Sequence, residues 1–239
     1  MVGTELLPWV FTTGWASGIN AYLVVLILGI AEKVFHVSGV PDALGRTDVM
    51  IGAAVLFLLE MFADKIPYVD SFWDTAHTVI RPAVGATLGY LIGHESSSLE
   101  AAFGAATGGF SALAAHLVKA GTRAAVNTSP EPASNVIVST AEDVTVAGVV
   151  SLAFLNPWVS AAIAAVILVA GALLVVFLFK RIRRMRQRYD DWGARNGLAP
   201  PPAGRTIPRG PAGDETRSMP VRPRERNSEG DTQRLPRRP

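Results

Sequence analysis

The stretch from Glu60 to Arg81 carries the residues best suited to chemistry. On a helix, Asp70, Asp74, His77 and Arg81 follow one another at +4, +3 and +4, so they form one stripe. Glu60 and Asp64 are four apart on the segment before it, and Lys65 follows directly. Carboxylates, an imidazole and a guanidinium on facing stripes can bind an ion or a polar headgroup, or relay a proton. A sealed network that only fixes helix packing is the competing reading. The spacing fits no zinc signature, and two nearby cations oppose a metal, so none is expected. No Ser/His/Asp triad can be placed beside His77. An enzyme that works through the carboxylates and His77 stays open as a further alternative. The chain holds no cysteine, which excludes thiol catalysis and disulfides, and no cofactor is expected.

The elements that position these residues read as membrane helices. A span needs about 20 apolar residues. Leu6–Ala31, Ala101–Val118 and Trp158–Phe179 are charge-free runs of about that length. Three shorter runs become spans when their charged ends are included, giving helices at Asp48–Ile66, Asp70–Gly93 and Thr140–Leu155. The expected fold is therefore all-α, with six transmembrane helices. Ser97 to Glu100 and Ser139 to Glu142 read as capping boxes that open the fourth and fifth helices. Asp48 reads as a cap of the second helix, and Asp70 or Ser71 as a cap of the third. Pro67 ends the second helix, and Asn156-Pro157 turns the chain between the fifth and sixth. Glu142 and Asp143 are expected as caps and not as part of the site.

At about 1.5 Å of rise per residue, His77 lies roughly 10 Å and Arg81 roughly 17 Å into the membrane. Glu60 lies roughly 9 Å from the same face. Charges at such depth must pair or be wet, so a Glu60–Arg81 or Asp74–Arg81 pair is expected, inside a cavity open to the cytoplasm. Asn20, in the first helix, either joins that cavity or bonds a neighbouring backbone. Asp64 and Lys65 are expected at headgroup level.

The charge distribution orients the chain. Residues 1–179 hold 6 Lys+Arg against 13 Asp+Glu, whereas residues 180–239 hold 16 against 7 and also 9 of the 16 prolines. A conventional soluble enzyme is excluded by the hydrophobic body. Lys180, Arg181, Arg183, Arg184, Arg186 and Arg188 follow the sixth helix directly. They should hold that end in the cytoplasm and attract anionic lipid. Six spans then place both termini in the cytoplasm, in a bacterial inner membrane. The N-terminus lacks a basic region, so no cleaved signal peptide is expected. The domain reading is a transmembrane unit over residues 1–192 and a disordered basic tail over 193–239. The tail lacks aromatic interleaving, so nucleic acid is not an expected partner.

Gly-x-x-x-Gly spacing recurs at Gly14/Gly18, Gly85/Gly89/Gly93 and Gly104/Gly108. It lets helices approach closely, either within the chain, which is the stronger expectation, or in a homodimer. Sliding the chain by 90 residues lays Gly14 and Gly18 on Gly104 and Gly108, and Pro67 on Pro157. That alignment allows two inverted three-helix repeats, an arrangement common in transporters.

The run Gly14-Trp-Ala-Ser-Gly-Ile-Asn-Ala-Tyr22, then Glu60-(x3)-Asp64-Lys65-Ile-Pro67-(x2)-Asp70-Ser71-(x)-Trp73-Asp74 and Arg81-Pro82, resembles the bacterial membrane family catalogued as domain of unknown function 4126. The similarity covers roughly residues 10–180. It implies that Asn20, Glu60, Asp64, Lys65, Asp70, Asp74 and Arg81 belong to one pattern, and it implies no activity. The leading expectation is a small transporter or binder of an ion or polar headgroup. The alternative is a membrane scaffold whose tail binds a partner.

Overall fold

The computed structural model describes residues 3–66, 69–94, 96–126 and 132–196. These form α1 (Gly3–Phe35), a 3-10 turn (Asp42–Gly45), α2 (Thr47–Ala63), α3 (Val69–His94), α4 (Ser98–Val126), α5 (Pro132–Leu155) and α6 (Pro157–Arg195), with no strand among the described residues. The fold is all-helical as expected. α1, α4, α5 and α6 each contain a stretch long and apolar enough to cross a membrane. Two compact units divide the chain, Met1–Arg184 and Met185–Pro239. The described part of the second unit, residues 185–196, is the helical end of α6 and Asn196. Its Tyr189 and Trp192 rings lie 6.0 Å apart.

The first helix is broken. Asn20 leaves helical geometry at φ −146° and ψ 95°. Its Oδ1 accepts from the backbone N–H of Leu23 at 3.0 Å, an N-cap bond that restarts the helix. The two arms, 3–19 and 21–35, then run in opposite senses. Trp9 packs its ring 5.1 Å from that of Phe154. Ile27, Ile30, Ala31 and Phe35 of the second arm line one groove with the same Phe154. A straight helix would hold Trp9 and Ala31 about 33 Å apart. So α1 folds back on itself with Asn20 at the vertex. Thr12, Thr13, Trp15, Ala16, Ser17, Val24 and Leu28 of the two arms are buried, which makes this hairpin the centre of the unit.

This vertex corrects the expected topology. The start of α1 (Leu6, Leu7, Val10) lines a cleft with Glu100, Phe103 and Gly104 at the start of α4. α6 runs parallel to α4, with Gly171 beside Val118 and Val175 beside Gly121, so its basic end lies toward the C-terminal end of α4. Residue 3 and residue 180 therefore sit at opposite ends of the unit, whereas an unbroken first span places them at the same end. α1 and α4, the first helices of the two supposed repeats, also differ in shape, since no break interrupts α4.

The glycine seams pack within the chain. A Cβ on Gly89 would strike the Gly104 carbonyl, one on Gly85 the Gly108 carbonyl, and one on Gly14 the Ser111 hydroxyl. Absence of side chains closes α3 on α4 and the first arm of α1 on α4.

Several helix ends differ from expectation. Ser97 Oγ accepts from the Glu100 N–H at 3.2 Å, and Asn156 Oδ1 from the Val159 N–H at 3.1 Å, so those caps form. Arg46, not Asp48, is the N-cap of α2, and Asp48 pairs with it at 2.7 Å. α5 begins at Pro132, so Ser139 and Glu142 lie inside the helix and open nothing. α3 starts at Val69, which puts Asp70 and Ser71 inside its first turn. Pro67 and the tail beyond residue 196 lie outside the described residues.

Candidate functional site

Four helices bring charged residues to the vertex of α1. The end of α2 supplies Glu60 and Asp64. The first half of α3 supplies Asp74, His77 and Arg81. The second half of α4 supplies His116, Lys119 and Arg123, and α5 supplies Glu142 and Asp143. α1 itself supplies the Ile19 carbonyl, Asn20 and Tyr22. The short connection between α2 and α3 makes them neighbours, as their spacing implied.

Arg81 is the hub on one side. Nη2 donates to Glu60 Oε1 at 2.5 Å, and Nη1 donates to Asp74 Oδ1 at 3.0 Å and to His116 Nδ1 at 2.8 Å. Both expected pairs are therefore made at once. Asp64 is the hub on the other side. Its Oδ2 accepts from Lys119 Nζ at 2.6 Å and from Arg123 Nη2 at 3.3 Å, and its carbonyl accepts from Arg123 Nη1 at 2.6 Å. Arg123 Nη2 also donates to Glu142 Oε2 at 2.8 Å. Lys119 joins the hubs, with Glu60 Oε1 at 3.6 Å and Glu142 Oε2 at 3.7 Å. It also donates to the Ile19 carbonyl at 2.9 Å, a group released by the break at Asn20. Asn20 Nδ2 donates to Asp143 Oδ1 at 2.9 Å.

The two imidazoles can be assigned from their partners. Arg81 can only donate, so His116 Nδ1 accepts, and a neutral ring then carries its proton on Nε2. That N–H donates to Thr78 Oγ1 at 3.1 Å, which in turn donates to the Asp74 carbonyl at 3.1 Å. The Trp73 carbonyl can only accept, so His77 Nδ1 carries a proton. His77 Nε2 is left facing the Tyr22 hydroxyl at 3.0 Å. A second proton on Nε2 would need only the Tyr22 hydroxyl to turn.

The centre of the cluster is closed to solvent, while Glu142 at its edge is partly exposed. Glu60 and Arg81 are 0% exposed, His77 1%, Asp64 2%, Lys119 3% and Asp74 5%. An open cytoplasmic cavity was expected; the long side chains fill that space themselves. Closure does not mean saturation. Glu60 Oε2, Asp64 Oδ1 and Asp74 Oδ2 are buried without a hydrogen-bond partner, as is Arg81 Nε.

Residues 7–177 match the family described as a domain of unknown function, DUF4126. The chain belongs to that family. No curated protein and no solved structure matches it. The matched span of the DUF4126 domain includes every residue of the charged cluster.

Of the residues singled out by sequence, Asn20, Glu60, Asp64, Asp74, His77 and Arg81 meet in this cluster. Asp64 is buried at its centre and not at the headgroup level expected for it. Lys65 stays outside, donating to the Met61 carbonyl of its own helix at 2.9 Å. Asp70 lies in the first turn of α3, and its side chain is outside the described part. Tyr22, His116, Lys119, Arg123, Glu142 and Asp143 were not expected there. A signal for three of them exists, because His116, Lys119 and Arg123 repeat the +3, +4 spacing of Asp74, His77 and Arg81. Two such stripes on adjacent helices of the DUF4126 domain face each other.

Two clefts approach the cluster. One of about 140 Å³ is lined by Trp15, Ile19, Lys119, Glu142, Leu168 and Gly171 among others. The other, about 210 Å³, is lined by Asp74, Thr75, Thr78, Ala120, Arg123 and Ala124. Lys119 and Glu142 border the first, and Asp74 and Arg123 the second.

Proposed function

We propose that this protein is a small integral membrane protein that binds a proton in the charged cluster and moves it across the membrane, alone or coupled to a second ion. The observation that carries this reading is an imbalance. Among the described residues, Glu60, Asp64, Asp74 and Glu142 pair with Arg81, Lys119 and Arg123, four carboxylates with three cations. Asp143 adds a further carboxylate through Asn20. An uncompensated charge is costly in a water-poor interior, so the cluster takes up a positive charge. A proton needs no cavity, which suits a closed site better than a hydrated ion or an anionic headgroup. The unpartnered oxygens of Glu60 and Asp74 are places for it, and so is His77 Nε2.

In this reading the Lys180–Arg188 basic run lies in the cytoplasm on anionic lipid, with Lys65, Lys119 and Arg123 toward the same side. The N-terminal end of α1 then lies on the opposite side.

The test is proton flux into proteoliposomes that enclose a pH-reporting dye, under an imposed membrane potential. Wild type is expected to acidify or alkalinise the lumen with the sign of the potential. Glu60→Gln is expected to lose at least about tenfold of that rate. Folded wild type that moves protons no faster than empty vesicles would end the transport reading. The burial of the cluster would then favour the second reading, a scaffold whose network only holds helices in register.

A further inference from the structure

We infer that the oxygens around Lys119 Nζ form a monovalent-cation site whose occupant, in this chain, is the Lys119 ammonium itself. Three segments, α1, α2 and α5, contribute four oxygens. They are the Ile19 carbonyl at 2.9 Å, Asp64 Oδ2 at 2.6 Å, Glu60 Oε1 at 3.6 Å and Glu142 Oε2 at 3.7 Å. The Ile19 carbonyl belongs to the C-terminal end of a half-helix, where the backbone carries partial negative charge and points its carbonyl along the axis. Half-helix ends and freed carbonyls next to carboxylates are the coordination that membrane transporters use for small cations.

A second observation points to a ligand and not merely to an acidic cluster. Glu60 and Asp64 are almost wholly buried, yet Glu60 Oε2 and Asp64 Oδ1 have no hydrogen-bond partner. Lys119 has three donors, and two are used at short range, on Ile19 and Asp64. Each of these two carboxylates therefore keeps one oxygen without a hydrogen bond besides the one it turns to Lys119. Its chemistry selects a weakly hydrated cation of charge +1, of which ammonium and potassium are the nearest free counterparts. The cleft bordered by Lys119 and Glu142 gives such an ion a route once the side chain is gone.

The site does not depend on proton movement, and its test reads stability, not flux. Purified Lys119→Ala and wild type are unfolded by heat in detergent, in choline, sodium, potassium and ammonium chloride at equal ionic strength. Wild type should melt at the same temperature in all four. Lys119→Ala should melt several degrees lower in choline and recover in ammonium or potassium. Its midpoint should rise with the logarithm of cation concentration, as linkage requires. If Lys119→Ala does not fold in choline, folding only in potassium or ammonium supports the site equally. Should it fold in no salt, Lys119→Ser supplies a hydroxyl that can complete the shell, and the same comparison is made. Variants that fare no better in potassium or ammonium than in choline overturn the inference.

Discussion

The two ends of the α1–α3–α4 core solve helix packing in opposite ways. At the end near Gly89 and Gly104, helices meet through backbone, because a single methyl would strike a carbonyl. At the other end, around Arg81 and Lys119, the same helices are bridged by long charged side chains. The first end needs no partner chemistry and tolerates no volume. The second tolerates volume only where charges match, and there they do not match fully. A protein that only needed to hold six helices together could have continued the small-residue seam. The departure from it falls at the broken point of the central helix, where the proposed proton site lies.

The largest effect expected comes from unpairing the charged end. Arg81→Ala leaves Glu60 and Asp74 buried without their cation, and should cost about 3–5 kcal/mol of stability by denaturant unfolding. Replacing Glu60 and Arg81 together by Leu and Met should restore much of that stability and leave no proton flux, which separates structure from function at one site. Next comes the glycine end. Gly89→Val forces the helices apart and should cost about 1–3 kcal/mol, while proton flux per folded molecule is kept. A comparable loss of flux in Gly89→Val would erase the distinction between the ends. Asn20→Ala removes the cap of the second arm and the bond to Asp143, for about 0.5–2 kcal/mol in the same assay. Smallest is Gly52→Ala. Nothing lies within 4 Å of its Cβ position, so it should stabilise α2 by about 0.5–1 kcal/mol.

The part of the site carried by local sequence was legible before the fold. Glu60, Asp74 and Arg81 lie on two helices joined by a tight connection, so helical rise alone matched their depths. The partners from α4 were hidden by the habit of ending a span at the first charge. Lys119 and Arg123 follow the charge-free run that ends at Val118, yet α4 continues to Val126 and both are buried. Glu142 was lost for a related reason, because an early capping signal at Ser139 outweighed the helix-forming residues before it. The vertex at Asn20 left no trace in hydropathy, since both arms of α1 are apolar. A polar residue able to cap a helix, in the middle of a long apolar run, was the only available hint. That one break puts the N-terminal end of α1 and the end of α6 near residue 180 at opposite ends of the unit, where an unbroken span would put them together.

The central claim is that the closed cluster holds a proton at neutral pH. The most direct test is the infrared spectrum of the purified protein in choline buffer, which reads protonated carboxyls and protonated imidazoles together. The account predicts one such protonated group in wild type, lost or displaced in Glu60→Gln. A spectrum in which every carboxylate of the folded protein is ionised and both imidazoles are neutral would contradict it.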